Sequence, residues 1–225
     1  MIDTLLVLAK EPVPGRVKTR LVPPLSYDQA AGLAAAALAD TLRIASFALA
    51  RRRLLVLDGA PGCMLPPGWC CAAQSEGELD DRLAAAFGQV SDGPALLIGM
   101  DTPQLRPHHL AAFDVARYDA CLGPAADGGY WAIGFADPRR AEAAIPGVPM
   151  STAGTFIEQL RRMRALGLRV QLLDVLEDVD SFDTALRVAA GAPGGSFARA
   201  VGALAVASGR TPGAVPVTRS GRNAG

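Results

Sequence analysis

The 225-residue sequence predicts an α/β fold, a single domain on a mainly parallel sheet with helices on both faces. Three observations support this. Short apolar runs bounded by Pro and Gly alternate with longer alanine- and leucine-rich segments of helical periodicity. The runs are continuously apolar, as strands buried on both faces are. Half of the residues are hydrophobic and a fifth are charged, which supplies core enough for one domain of this length.

Ile2 to Ala9 reads as the first buried strand. "LSYDQAAGLAAAALADTLRIASFALA" follows as a long helix with Ser26 as its N-cap. Arg53 to Gly59 is the next strand; the Pro/Gly loop "APGCMLPPGW" leads to a short one at Cys70 to Ala73. Ser75 and Glu78 stand at capping-box spacing before Leu79, Leu83 and Phe87, which recur at helical intervals. "PALLIGMD" is a buried strand running into Asp101, and a helix is expected over Pro107 to Arg117. "DACLGPA" and "YWAIGFA" read as strands around Gly128-Gly129. "TAGTFIEQLRRMRALG" is a helix closed by Gly167, "LRVQLLDV" a strand and "SFDTALRVAAG" a last short helix. The expected domain covers residues 1–190. Residues 191–225 read as a C-terminal extension, with a short helix over Phe197 to Ala207 and then a disordered tail. No internal repeat is present.

The formal net charge is zero, with 22 Lys plus Arg against 22 Asp plus Glu. No global field favours nucleic acid or an anionic membrane, so any anion binding is local. Cys63, Cys70, Cys71 and Cys121 form no C-x-x-C pair, which argues for reduced thiols rather than a zinc cage or a disulfide framework. The first apolar run carries Asp3, lacks a basic flank and is too short to span a bilayer. A cytoplasmic protein with no nucleic-acid partner and no membrane span is expected.

Ligands of open parallel sheets gather at the carboxyl ends of the strands. Three loops with different chemistry leave such ends. The first holds Lys10, Gly15, Arg16, Lys18 and Arg20, and the chain's only two lysines are both in it. Ammonium groups serve as point charges for phosphate, although a solvated charged loop also fits. Neither G-x-x-x-x-G-K-[ST] nor G-x-G-x-x-G occurs, which counts against a P-loop and against a nicotinamide enzyme. Asp101, at the tip of an apolar strand, must be hydrogen-bonded, paired or bound to a cation such as Mg2+ or Mn2+; an Asx-turn or helix cap is the alternative. Asp127 precedes Gly128 and Gly129, where a ligand can approach the backbone, or where the chain simply turns. Tyr130 and Trp131 come next and either stack on a ligand or pack in the core. Asp180, in "EDVDSFD", is a second candidate metal ligand or, with Ser181, a helix cap. His108 and His109 lack a triad-like context and read as surface or structural residues.

In order, "AKEPVPGRVKTRL", "QSEGELDDRL", "IGMDTPQL", "GPAADGGYWAIG" and "DVDSFD" resemble a bacterial glycosyltransferase-like family. Its members carry the label of arsenosugar-biosynthesis glycosyltransferases or of a domain of unknown function. The family is similar to the GT-A class of nucleotide-diphospho-sugar transferases, which shares its Rossmann-like fold with MobA-type and phospholactate guanylyl nucleotidyltransferases. The resemblance covers about residues 2 to 190. It implies that Ala9, Lys10, Gly15, Lys18 and Arg20 form a nucleotide-phosphate loop and that Gln74, Gly77 and Arg82 line the nucleotide side. Asp101 takes the place of the metal-binding aspartate. Asp127, Gly128, Gly129 and Tyr130 line the acceptor or sugar side. The chain departs from the family pattern at Glu78-Leu79-Asp80-Asp81, at Met100, and at Pro103, where many GT-A enzymes carry a second aspartate.

The expected function is metal-assisted group transfer from a nucleotide diphosphate donor to a small-molecule acceptor. Lys18, Asp101 and Asp127 are the catalytic candidates, with Asp127 positioning or deprotonating the acceptor hydroxyl. A nucleotide sugar as donor makes the protein a glycosyltransferase. A nucleoside triphosphate makes it a nucleotidyltransferase releasing pyrophosphate. The departures from the family pattern leave a third alternative, a non-catalytic nucleotide-binding module. Lys18→Ala and Asp101→Ala are expected to lose affinity and turnover without a fall in melting temperature.

Overall fold

A computed structural model describes residues 1–60 and 65–207. Within them, β1 (Thr4–Lys10), β2 (Arg52–Asp58), β3 (Cys70–Ala73), β4 (Ala95–Gly99), β5 (Ala120–Pro124), β6 (Tyr130–Phe135) and β7 (Val170–Leu172) form one sheet in the order β3-β2-β1-β4-β6-β5-β7. All pairings are parallel except those of β6 with β4 and β5. The chain steps outward from β1 to β3 and then returns to lay β4 on the other side of β1. That reversal is a topological switch point, where open α/β sheets bind ligands.

Alternation along each strand explains the two cores. Leu5, Val7, Leu55, Leu57, Leu96 and Ile98 face α1 (Tyr27–Ala45) and α3 (Pro107–Ala111). Leu6, Leu54, Val56, Leu97, Ile133 and Phe135 face α2 (Leu79–Phe87), α4 (Ala141–Ala144) and α5 (Thr155–Ala165). The helix α1 is buried on two sides. Its other stripe (Ala30, Leu33, Ala37) packs on α6 (Phe182–Gly191) and α7 (Ser196–Ala207), which accounts for its alanine content.

Several expected boundaries shift for local reasons. The helix starting at Pro107 stops at Ala111 instead of reaching Arg117. The Gln171 amide, from β7, donates to Ala112 O and accepts from Asp114 N, so it takes backbone groups that a longer helix would use. The helix α1 ends at Ala45, where the Ser46 hydroxyl donates to Leu42 O and accepts from Trp69 Nε1. No Ser75 capping box forms: α2 begins at Leu79, with Glu78 as an N-cap lacking a side-chain bond. A 3-10 turn at Pro138–Arg140 and the short α4 carried no legible signal.

The helix expected from Phe197 is α7. The Asp40 carboxylate, from α1, accepts from both Ser196 N and Phe197 N, capping α7 across a tertiary contact. Gly195 makes this approach feasible, because a Cβ there would lie 2.4 Å from an Asp40 carboxylate oxygen. The tail expected beyond Ala207, and Cys63, lie outside the described residues. No described helix is long and apolar enough to cross a membrane.

Candidate active site

A cleft of about 1120 Å³ opens over the carboxyl ends of β1 and β4 and the amino end of β6. Ala9, Lys10, Lys18, Arg20, Gln74, Arg82, Asp101, Asp127, Gly129, Tyr130 and Asp180 all line it. Gly15 and Gly77 shape the adjoining loops, and both have positive φ. Gly128 packs behind the wall: its own φ is +93°, and a Cβ there would meet Ala153 O at 2.2 Å.

Lys18 is the pivot. It sits at φ 49°, an uncommon left-handed backbone for a lysine, immediately before the 3-10 turn Thr19–Leu21. Its side chain is 8 % exposed, with Nζ 2.8 Å from Asp101 Oδ1 and donating to Val179 O. An ammonium has three donors, so one remains for a ligand. Lys10 is exposed, and its backbone N–H donates to Met100 Sδ. Arg16 pairs with Asp58 at the rim, 3.3 Å away. Arg20 lies 3.6 Å from Asp180, and its side chain is largely exposed.

Asp101 caps no helix, since α3 is capped at Arg106; its carboxylate pairs with Lys18. Asp180 is not a cap either. Ser181 caps α6, in a capping box with Thr184, and Asp180 is left facing the cleft. The segment carrying Asp180 is tied down along its length: Leu176 N donates to Pro124 O, Gln104 Nε2 to Glu177 O and Val179 N to Asp101 O. These ties bring a residue not singled out from sequence, Asp178, into the cleft.

Asp178 carries the strongest chemical signal of the site. Its Oδ1 is buried with no hydrogen-bond partner among the described residues. Burial pushes its carboxyl up to about 7, and the neighbouring Asp101 and Asp127 push the same way, while Lys18 opposes them. An orphaned buried carboxylate oxygen surrounded by like charge is the environment a divalent cation relieves, and its hard oxygen donors suit Mg2+ or Mn2+. By donor type Asp178 and its neighbour Asp101 suit such an ion, whereas the oxygens of Asp101, Asp178 and Asp180 do not all lie within 4.8 Å of one another among the described residues. The signal for Asp178 in the sequence was the density of acids in "EDVDSFD", which does not say which of them turns inward.

The turn reading of Asp127-Gly128-Gly129 holds: Asp127 Oδ1 accepts from Gly129 N at 2.9 Å, and Ala125 N donates to Gly129 O. Asp127 nonetheless stays exposed to the cleft through its second oxygen. Tyr130 combines both of its readings. Its ring lines the cleft, while its hydroxyl lies 3.4 Å from Gln159 Oε1 and 3.7 Å from Met150 Sδ, and burial pushes the phenol up. Trp131 is a core residue, 2 % exposed, with Nε1 donating to Asp174 O. His108, His109 and Asp174 bring donor atoms within 4.8 Å of one another. His109 Nδ1 accepts from Arg106 N, so its Nε2 carries the proton and offers no lone pair to a metal. His108 is exposed and His109 is buried.

The fold and this cleft define the class, a nucleotide-diphospho-sugar transferase-like α/β domain. A protein from Desulfovibrio desulfuricans G20, provisionally named a nucleotide-diphospho-sugar transferase, is 26% identical with a TM-score of 0.79 over 92% of this chain and 96% of its own. Two further structures share the fold alone. A nucleotidyl transferase from Methanothermobacter thermautotroptrophicus is 14% identical, with a TM-score of 0.53 over 83% of this chain and 95% of its own. Rv0371c from Mycobacterium tuberculosis H37Rv, in complex with manganese, is 22% identical, with a TM-score of 0.51 over 84% and 98%. Among curated proteins none matches. The chain belongs to the bacterial family DUF2064, described as an uncharacterized protein conserved in bacteria, whose profile matches residues 34–152.

Proposed function

We propose that the cleft binds the diphosphate of a nucleotide sugar at the β1–β4 switch point and transfers the sugar to a small-molecule acceptor. The observation that carries this reading is the Lys18–Asp101 pair beside the orphaned Asp178 carboxylate. Lys10, Arg16, Lys18, Arg20 and Arg82 line the cleft against Glu78, Asp80, Asp101, Asp127, Asp178 and Asp180, a slight excess of acid that disfavours a diphosphate without a bound cation. A divalent ion held by Asp101 and Asp178 would neutralise the diphosphate as a leaving group, with Asp180 at the cleft edge beside Arg20. Lys18 would present its remaining N–H to a phosphate oxygen, while Lys10 and Arg20 would supply exposed charge around it. Asp127 would orient or deprotonate the acceptor hydroxyl with its free oxygen. The class likeness to the Desulfovibrio protein supports the reading; the particular reaction is our inference.

The four cations of the first loop favour a second reading, nucleotidyl transfer from a nucleoside triphosphate. The two differ in what leaves: a nucleoside diphosphate or pyrophosphate. Incubating the protein with Mn2+, a panel of nucleotide sugars and triphosphates, and candidate acceptors, then separating products by ion-exchange chromatography, tests both. Release of nucleoside diphosphate from a nucleotide sugar, dependent on Asp101, is the expected result. Tight nucleotide binding with neither product, across the panel, would make the protein a binding module.

A further inference from the structure

Gln74 follows β3 and reaches across the sheet end. Its Nε2 donates to Ala9 O at 2.6 Å and to Val56 O at 3.2 Å. With both amide N–H bonds committed to strand carbonyls, the orientation of the amide is fixed, and Oε1 accepts from Arg82 Nη1 at 3.2 Å. Arg82 Nε donates to Glu78 O at 3.4 Å. Neither partner of Arg82 is a carboxylate, although Glu76, Glu78, Asp80 and Asp81 are its neighbours in sequence. One N–H of Nη1 and both of Nη2 are left unassigned among the described residues, and an adjacent pair, one from each nitrogen, can address two neighbouring acceptors. The guanidinium is thus a donor fork braced at one end and lining the cleft. Leu79 and Leu83, on the same helix face, and Leu8 line the cleft with it. An apolar wall ending in a rigid donor fork matches a flat heterocycle better than a phosphate.

We infer that Arg82, braced by Gln74, reads the nucleobase and selects one that presents two adjacent hydrogen-bond acceptors: guanine through O6 and N7, or cytosine through O2 and N3. Adenine offers a donor beside N7, and uracil places its N3–H between its two carbonyls, so neither satisfies the fork. This rests on the proposed nucleotide reading of the cleft and adds the base to it.

Calorimetric titration with GDP, CDP, UDP and ADP, each with Mn2+, tests the inference. The expected result is that GDP or CDP binds about 10-fold or more tighter than ADP and UDP, the discrimination of one bidentate pair. Arg82→Lys keeps the charge and loses the fork. It should erase that preference while holding affinity for ADP and UDP within about threefold. Arg82→Met, whose volume is similar, serves as the second variant should Arg82→Lys fail to fold. Preference for ADP or UDP, equal binding of all four, or selectivity that survives both substitutions would overturn the base assignment alone. So would an equal loss of affinity for all four, which would place Arg82 on the phosphates. Failure of the wild type to bind any of them would overturn the nucleotide reading and this inference together.

Discussion

On the proposed function, Lys18, Asp101 and Asp178 decide what the cleft can do. Asp178 has a folded-state carboxyl raised to about 7, above the ordinary carboxylate value in the unfolded chain. The folded protein therefore binds more protons between about pH 4 and 7, and this group costs stability increasingly as pH rises through that window. Asp178→Asn should stabilise the protein at pH 8, with a ceiling of about 4 kcal/mol for a shift of about three units, and change little at pH 4. Urea melts at the two pH values check it. Stabilisation by Mn2+ should run the other way, larger at pH 8 than at pH 5.5, because the ion binds the deprotonated carboxylate; thermal shifts with and without the ion measure this. Lys18 revises an expectation taken from sequence. Because its ammonium joins Asp101 to Val179 O, Lys18→Ala should lose nucleotide affinity and also about 1–2 kcal/mol of stability, the pair being discounted for solvent at Asp101. The sequence showed that Lys18 and Asp101 were chemically unusual. It could not show that they touch, since 83 positions separate them and only the β1–β4 pairing brings their loops together.

At the scale of elements, what was legible tracks periodicity. Continuous apolar runs became the strands, and Ser26 caps α1 as expected, with its capping partner Gln29. What was lost lies where a tertiary partner overrides local propensity, as the Gln171 amide does after α3, or where an element is too short to show a period, as with α4. The capping of α7 by Asp40 belongs to the same category, for a carboxylate in the middle of α1 reads as a surface charge until the two helices meet. Removing it by Asp40→Ala should cost about 1–2 kcal/mol and loosen α7 first. Hydrogen exchange of the Phe197–Ala207 amides follows that directly; unchanged protection there would contradict the assigned role. Gly128 ties the Asp127 turn to the loop before α5, with Phe156 N donating to Gly128 O. Gly128→Ala forces the turn and Ala153 apart, so it should lower melting temperature and displace Asp127 together.

For the molecule as a whole, the α/β class and a cleft at strand carboxyl ends were both readable, because connection rules leave few topologies for alternating strands and helices. The antiparallel insertion of β6 between β4 and β5 was not readable. It is this insertion that carries Asp127 and Tyr130 back to the ends of β1 and β4. The architecture thus collects cations from the loop after β1, and acids from the loops after β4, β5 and β7, around one cleft. On the proposed function this arrangement holds a metal-bound diphosphate. A crystal structure with Mn2+ and a nucleoside diphosphate tests it most directly. The ion is expected on Asp101 and Asp178, with a phosphate oxygen within hydrogen-bond distance of Lys18 Nζ. Phosphates bound elsewhere, with Lys18 still closed on Asp101 and Val179 and no ion beside them, would contradict it.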